Sequence, residues 1–161
     1  MSEKSTELYN VIRHLRPAFK HISKFVEIRS EEIGLSVGTR AVLEQLAENG
    51  PKSVPDMARA LMVERQYIQR CVNSLLADGL VGRTPNPTHK KSWLIDLKKE
   101  GHERFQRLKA REMTVLDTVS TSLSPSEIQS AIKVMAALSD DFYTLVRAET
   151  AKTQPKGDKH D

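Results

Sequence analysis

Val63-Glu64-Arg65-Gln66-Tyr67-Ile68-Gln69-Arg70-Cys71-Val72-Asn73-Ser74-Leu75-Leu76 is the stretch that decides the fold. At about 100° per residue, Ile68, Cys71, Val72 and Leu75 gather on one side of a helix. Gln66, Gln69, Arg70 and Asn73 fall on the other. A plain surface helix would carry Lys and Glu there. Amides and an arginine are the side chains that pair bidentately with adenine and guanine edges. The stretch therefore predicts a helix built to enter the major groove of DNA.

The neighbouring sequence frames it. Ser53 and Asp56 have capping-box spacing, with an acidic residue in place of the usual Glu, and Pro55 sits in the tolerated first turn. A short helix with Met57, Ala58 and Leu61 follows. Upstream, Ser36 caps a helix running through Val42, Leu43 and Leu46 to about Glu48, where Asn49-Gly50-Pro51 stops it. Asp78-Gly79 closes the amide-rich helix, the glycine suiting a left-handed C-cap. Residues 80–84 and 92–97 read as two strands, joined by a loop over 85–91 whose prolines exclude a central strand. A hairpin is marginal alone, and Trp93, Ile95 and Leu97 alternate so as to pack it on the helices.

The flanks are long amphipathic helices. The first starts near Ser5 or Thr6 and ends before Gly34, with Leu8, Val11, Ile12, Leu15, Phe19, Ile22, Phe25 and Val26 on one face and a kink expected at Pro17. A fifth helix spans 99–120. The sixth starts at the capping box Ser124-Pro125-Ser126-Glu127, with Leu123 and Ile128 placed as a hydrophobic staple. Ile132, Met135, Leu138, Phe142 and Leu145 continue its stripe. Residues 151–161 read as a disordered tail. The terminal stripes offer more apolar surface than a lobe of this size needs. Either they cover one another within a monomer or they form a homodimer interface; a twofold dimer reading two half-sites favours the second.

This gives a mainly α fold with a small β-hairpin wing. Residues 35–98, a helix pair followed by the hairpin, are expected to form the DNA-binding domain, and residues 1–34 with 99–150 a helical dimerisation region. With 161 residues there is room for one domain with a core or two small lobes. The net charge of +4 permits a nucleic-acid partner without requiring one. A single cysteine excludes an intramolecular disulfide. The N-terminus has no signal-peptide character, and no apolar run reaches membrane-spanning length. A soluble cytoplasmic protein without membrane contact is expected. No Gly-rich phosphate loop, metal motif or Ser/His/Asp context points to an enzyme, and neither cofactor nor metal is expected.

Two segments carry a family resemblance. One is Pro55-Asp56-Met57-Ala58-Arg59-Ala60-Leu61 with Arg65, Arg70 and Leu75-Leu76-Ala77-Asp78-Gly79-Leu80-Val81; the other runs from Arg83 to Leu97 and on to Gly101. Together they resemble the winged helix-turn-helix of the MarR family of bacterial transcriptional regulators, over about residues 8–147. The resemblance implies a homodimeric repressor or activator, with a repressor favoured. It also implies release of DNA when a small molecule, commonly a phenolic or aromatic acid, binds between the dimer lobe and the reading lobe. The chain departs from the family in the wing, where His89 and Lys91 stand in place of an aspartate and an arginine two residues apart. Lysine is a strongly hydrated point charge, so phosphate contact is expected there rather than minor-groove readout. Lys98 replaces the threonine that commonly caps helix five, leaving Asp96 as an alternative cap that would start the helix early.

The expected DNA contacts are Arg65, Gln66, Gln69, Arg70 and Asn73 on the helix and Arg83, His89, Lys90 and Lys91 on the wing. Arg65 is placed to clamp a phosphate. Glu64 suits the helix N-terminus as a cap, with acceptance from cytosine N4 as the other reading. Tyr67 either reaches a phosphate or packs partly into the core. Cys71 reads as inert packing ahead of a redox sensor. His14 and His21 lack the further ligands that zinc needs. Arg13, His14 and Arg16, beside the Pro17 kink, are the candidate contacts for an anionic effector. The competing function is a winged-helix module that binds protein and not specific DNA. The amide-and-arginine face opposes it, since such a surface favours exposed aromatics and aliphatics.

Overall fold

A computed structural model describes residues 2–87 and 92–153. The elements run α1 (Glu3–Glu31), α2 (Val37–Asn49), β1 (Lys52–Ser53), α3 (Val54–Ala60), α4 (Arg65–Ala77), β2 (Val81–Pro85), β3 (Trp93–Leu97), α5 (Lys99–Ser120) and α6 (Pro125–Thr153). The chain forms two compact units, Met1–Thr114 and Val115–Asp161. The basic wing tip at 88–91 and the tail from 154 on lie outside the described residues. Residues 151–153, expected to begin that tail, are helical.

Local chemistry sets the boundaries. Ser36 and Thr39 form a reciprocal capping box at α2. Ser53 caps α3, accepting from the Asp56 N–H at 3.3 Å while its hydroxyl donates to the Asp56 carboxylate at 2.5 Å. Gly79 takes a left-handed φ of 70°, and the N–H groups of Gly79 and Leu80 donate to Leu76 and Leu75 carbonyls, closing α4 as a Schellman turn. α1 begins at Glu3, earlier than expected, because Ser2 accepts from the Ser5 N–H. It runs as one helix through Pro17. α5 begins at Lys99, without the early start that an Asp96 cap would give.

The hairpin belongs to a three-stranded antiparallel sheet of order β1-β3-β2. β1 pairs Lys52 with Ile95 and Ser53 with Leu94. Two residues are too few to show an alternating pattern, so this strand was invisible in the sequence. Pro85, expected in the loop, ends β2 opposite Trp93. β2 is an edge strand, where a missing donor is tolerated. Trp93 corrects another expectation. It is 54% exposed while Ile95 is buried, because Trp93 lies at the outer end of the ladder, past the helical core.

In the first unit, one core joins Leu43, Met57, Ile68, Val72, Leu75, Val81, Ile95, Phe105 and Leu108. The close approach of α4 to α2 depends on Gly38, where a Cβ would stand 2.7 Å from the Cys71 sulfur and closer still to the Tyr67 hydroxyl. Gly101 allows α5 to lie against the Leu80 carbonyl. Arg40 on α2 binds Glu112 on α5 through two hydrogen bonds of 3.1 and 2.8 Å, both side chains largely buried. The second unit is built on α6. Ser124 and Glu127 cap it reciprocally, and hydrogen bonds from the Ser124 hydroxyl and N–H hold the Glu127 carboxyl below the usual glutamate value. Its staple residues Leu123 and Ile128 line an apolar cleft of about 650 Å³ with Ile132 and Met135.

Candidate nucleic-acid interface

The helix pair α3–α4 is joined by a tight turn in which Met62 adopts φ 53° and the Val63 N–H donates to the Ala58 carbonyl at 3.1 Å. This fixes where α4 starts. Glu64 occupies its N-cap, but the side chain makes no capping hydrogen bond, so the expected capping role is not fulfilled. A carboxylate one carbon longer than aspartate fits the N-cap geometry poorly.

From that start the two faces of α4 separate cleanly. Ile68, Cys71, Val72 and Leu75 are buried. Arg65, Gln66, Arg70 and Asn73 are exposed and Gln69 is half-buried. The Arg70 guanidinium lies over the Tyr67 ring, 5.9 Å from its centre. Tyr67 itself settles between its two readings by packing: its hydroxyl turns inward beside Cys71 and Gly38. Burial pushes the phenol up from its ordinary value, with the adjacent Cys71 adding to the effect. Burial likewise pushes the Cys71 thiol up, which keeps it neutral and poorly nucleophilic.

Arg83 on β2 is exposed and reaches α4, donating to the Asn73 carbonyl oxygen at 3.4 Å. Gln69 donates to the same oxygen at 3.0 Å. Arg65, Gln69, Arg83, Ser92 and Trp93 share a polar cleft of about 280 Å³ between α4 and the hairpin. Six of the expected contact residues are thus gathered in one region of the first unit. His89, Lys90 and Lys91 lie outside the described residues. Sequence reading missed the part played by Ser92 and Trp93 in this cleft and the link from Arg83 to Asn73. Both depend on how the hairpin folds back on α4, for which periodicity carries no signal.

The expected effector residues are all exposed on α1. Arg16 lines an apolar cavity of about 790 Å³ with Pro17, Phe19, Lys20 and Lys24. Arg13 and His14 do not line it, and the His14 Nδ1–H donates to the Asn10 carbonyl at 2.8 Å. Among the described residues, no group of three His, Cys, Asp or Glu is placed to hold a metal, and no helix is long and apolar enough to cross a membrane.

Comparison with known proteins identifies the architecture. The sequence profile of the MarR family matches residues 33–92. A solved structure described as MarR family transcription regulator SP03579 superposes with a TM-score of 0.78 and 31% identity, over 89% of this chain and 95% of that one. The uncharacterized HTH-type transcriptional regulator YkoM of Bacillus subtilis is 25% identical over 133 residues, 83% of this chain and 84% of YkoM. The Mycobacterium tuberculosis protein Rv2011c is 33% identical over 78 residues, 48% of this chain; the match spans about half, 54%, of that relative's length.

Proposed function

The chain belongs to the MarR family of transcription regulators, and from that footing we propose that it is a cytoplasmic DNA-binding repressor acting as a homodimer on a pseudo-palindromic operator. One observation carries the proposal. α4 seals its apolar face in the core and turns out a face of three amides, Gln66, Gln69 and Asn73, flanked by arginines. These are the groups that match base edges in the major groove. Each subunit places α4 in one of two successive major grooves about one helical turn apart. Arg70 contacts a guanine edge or a phosphate, Gln66 and Gln69 read bases, and Arg65 and Arg83 flank them on the backbone. His89, Lys90 and Lys91 extend that backbone contact.

The exposed apolar residues of α1 and α6, Phe19, Ile22, Ile132, Phe142 and Leu145 among them, are covered by a second copy. A small aromatic or anionic effector occupies the cavity at Arg16, where Phe19 offers a ring and Arg16 and Lys20 add positive charge, Lys24 being paired with Glu27 of the same cavity at 2.7 Å. Arg13 and His14 steer it from nearby.

Capture of bound fragments from randomly sheared genomic DNA tests the proposal. The expected product is a small set of fragments sharing an inverted repeat. A winged-helix module that binds only protein would enrich no sequence and would overturn it.

A further inference from the structure

Three polar side chains meet at one atom. Gln69 Nε2 and Arg83 Nη2 both donate to Asn73 Oδ1. A guanidinium has donors and no acceptor. Whatever faces Arg83 must therefore be the carbonyl oxygen of Asn73, and its amide orientation is fixed by chemistry. The polarity then passes along the chain of bonds. Because Asn73 Oδ1 only accepts, Gln69 must turn its amino group toward it.

A free asparagine reads adenine with both ends of its amide, oxygen accepting from N6 and nitrogen donating to N7. Here the two lone pairs of Oδ1 face two donors. Asn73 Nδ2 makes no hydrogen bond among the described residues. What Asn73 offers outward is a pair of donors. Guanine, with N7 and O6 both accepting, matches that offer, whereas the N6 amino group of adenine opposes it.

We infer that Arg83 is a positioning residue that acts through Asn73 and sets this position of the reading face for guanine rather than adenine. This rests on the proposed DNA-binding function and refines it. Gln69 keeps its own oxygen and one amino hydrogen, so adenine remains open to it. The wing strand thus has a part in sequence choice beyond its positive charge.

The test uses the full chain and duplexes selected from a randomised pool at one fixed salt concentration. Asn73→Asp, isosteric and without donors, identifies the base pair that Asn73 reads, since preference changes there alone. At that pair the wild type should favour guanine over adenine about tenfold. Arg83→Met, with no donor, should weaken all duplexes and bring that ratio to about one or invert it, while Arg83→Lys, which still donates, should keep it. In the free protein, the side-chain amide resonances of Asn73 and Gln69 should shift in Arg83→Met and return toward their original positions in Arg83→Lys. Adenine at the identified pair in the wild type, or an unchanged ratio in Arg83→Met, overturns the inference while leaving DNA recognition intact. A wild type that enriches no sequence overturns the functional reading and this inference with it.

Discussion

α4 and α6 are both amphipathic, yet they meet opposite fates. α4 has 13 residues and buries four apolar side chains beneath a polar outer face. α6 has 29 residues and, among its described side chains, buries none, leaving Ile132, Phe142 and Leu145 more than half exposed. An apolar stripe states only that a face needs covering. For α4 the cover is its own unit: α2, α3 and the sheet. For α6 we propose that it is another molecule.

The same kind of change should therefore act differently in the two helices. Leu75→Ala removes a fully buried side chain and should cost about 2–5 kcal/mol in denaturant unfolding. Ile132→Asp should leave the α2–α4 core folded and give a monomer in sedimentation at micromolar concentration. It should also abolish the rise in unfolding midpoint with protein concentration that a dimer shows. A wild type that sediments as a monomer breaks the comparison.

Gly38→Ala sharpens it within α4. The added methyl meets the Tyr67 hydroxyl and Cys71 sulfur, and a loss of about 1–3 kcal/mol is expected in thermal unfolding. The polar face should respond in binding instead. Arg70→Ala should cost about 1–3 kcal/mol on the selected operator and much less on random duplex; equal losses would reduce Arg70 to a phosphate contact. Neutralising Lys90 and Lys91 together should weaken every duplex and make the logarithmic salt slope shallower by about two. An unchanged slope removes the wing tip from the interface.

The smallest effect concerns the start of α3, which leads into α4. The Ser53 hydroxyl, and then Arg59, hold the Asp56 carboxyl below the ordinary aspartate value. A depressed carboxylate stabilises the fold above its unfolded pKa, and that contribution is lost as pH falls through the lower folded value. An NMR titration of Asp56 should give a midpoint below 3.8 that rises toward it in Ser53→Ala.

Much of this was legible in the sequence because it is local. Ser36, Ser53 and Ser124 fall where their hydroxyls meet a free N–H, and Gly79 falls where φ turns positive. The two faces of α4 follow from helical period alone. What escaped is set by tertiary register. β1 is two residues long and exists only because β3 passes beside it. Trp93 alternates correctly with Ile95, yet it sits beyond the helices and stays exposed. Glu64 has the charge for a helix N-terminus, but its longer side chain makes no cap hydrogen bond. The bond from Arg83 to Asn73 joins residues whose meeting depends on the fold of the hairpin.

Methylation protection of guanine N7 on a selected operator tests the central claim most directly, because N7 lies in the major groove that α4 is held to enter. Two protected patches are expected about one helical turn apart, related by the operator's twofold axis, with the guanine contacted by Arg70 or Asn73 released in the matching variant. Uniform reactivity across a duplex that the protein demonstrably binds would place α4 outside the groove and contradict it.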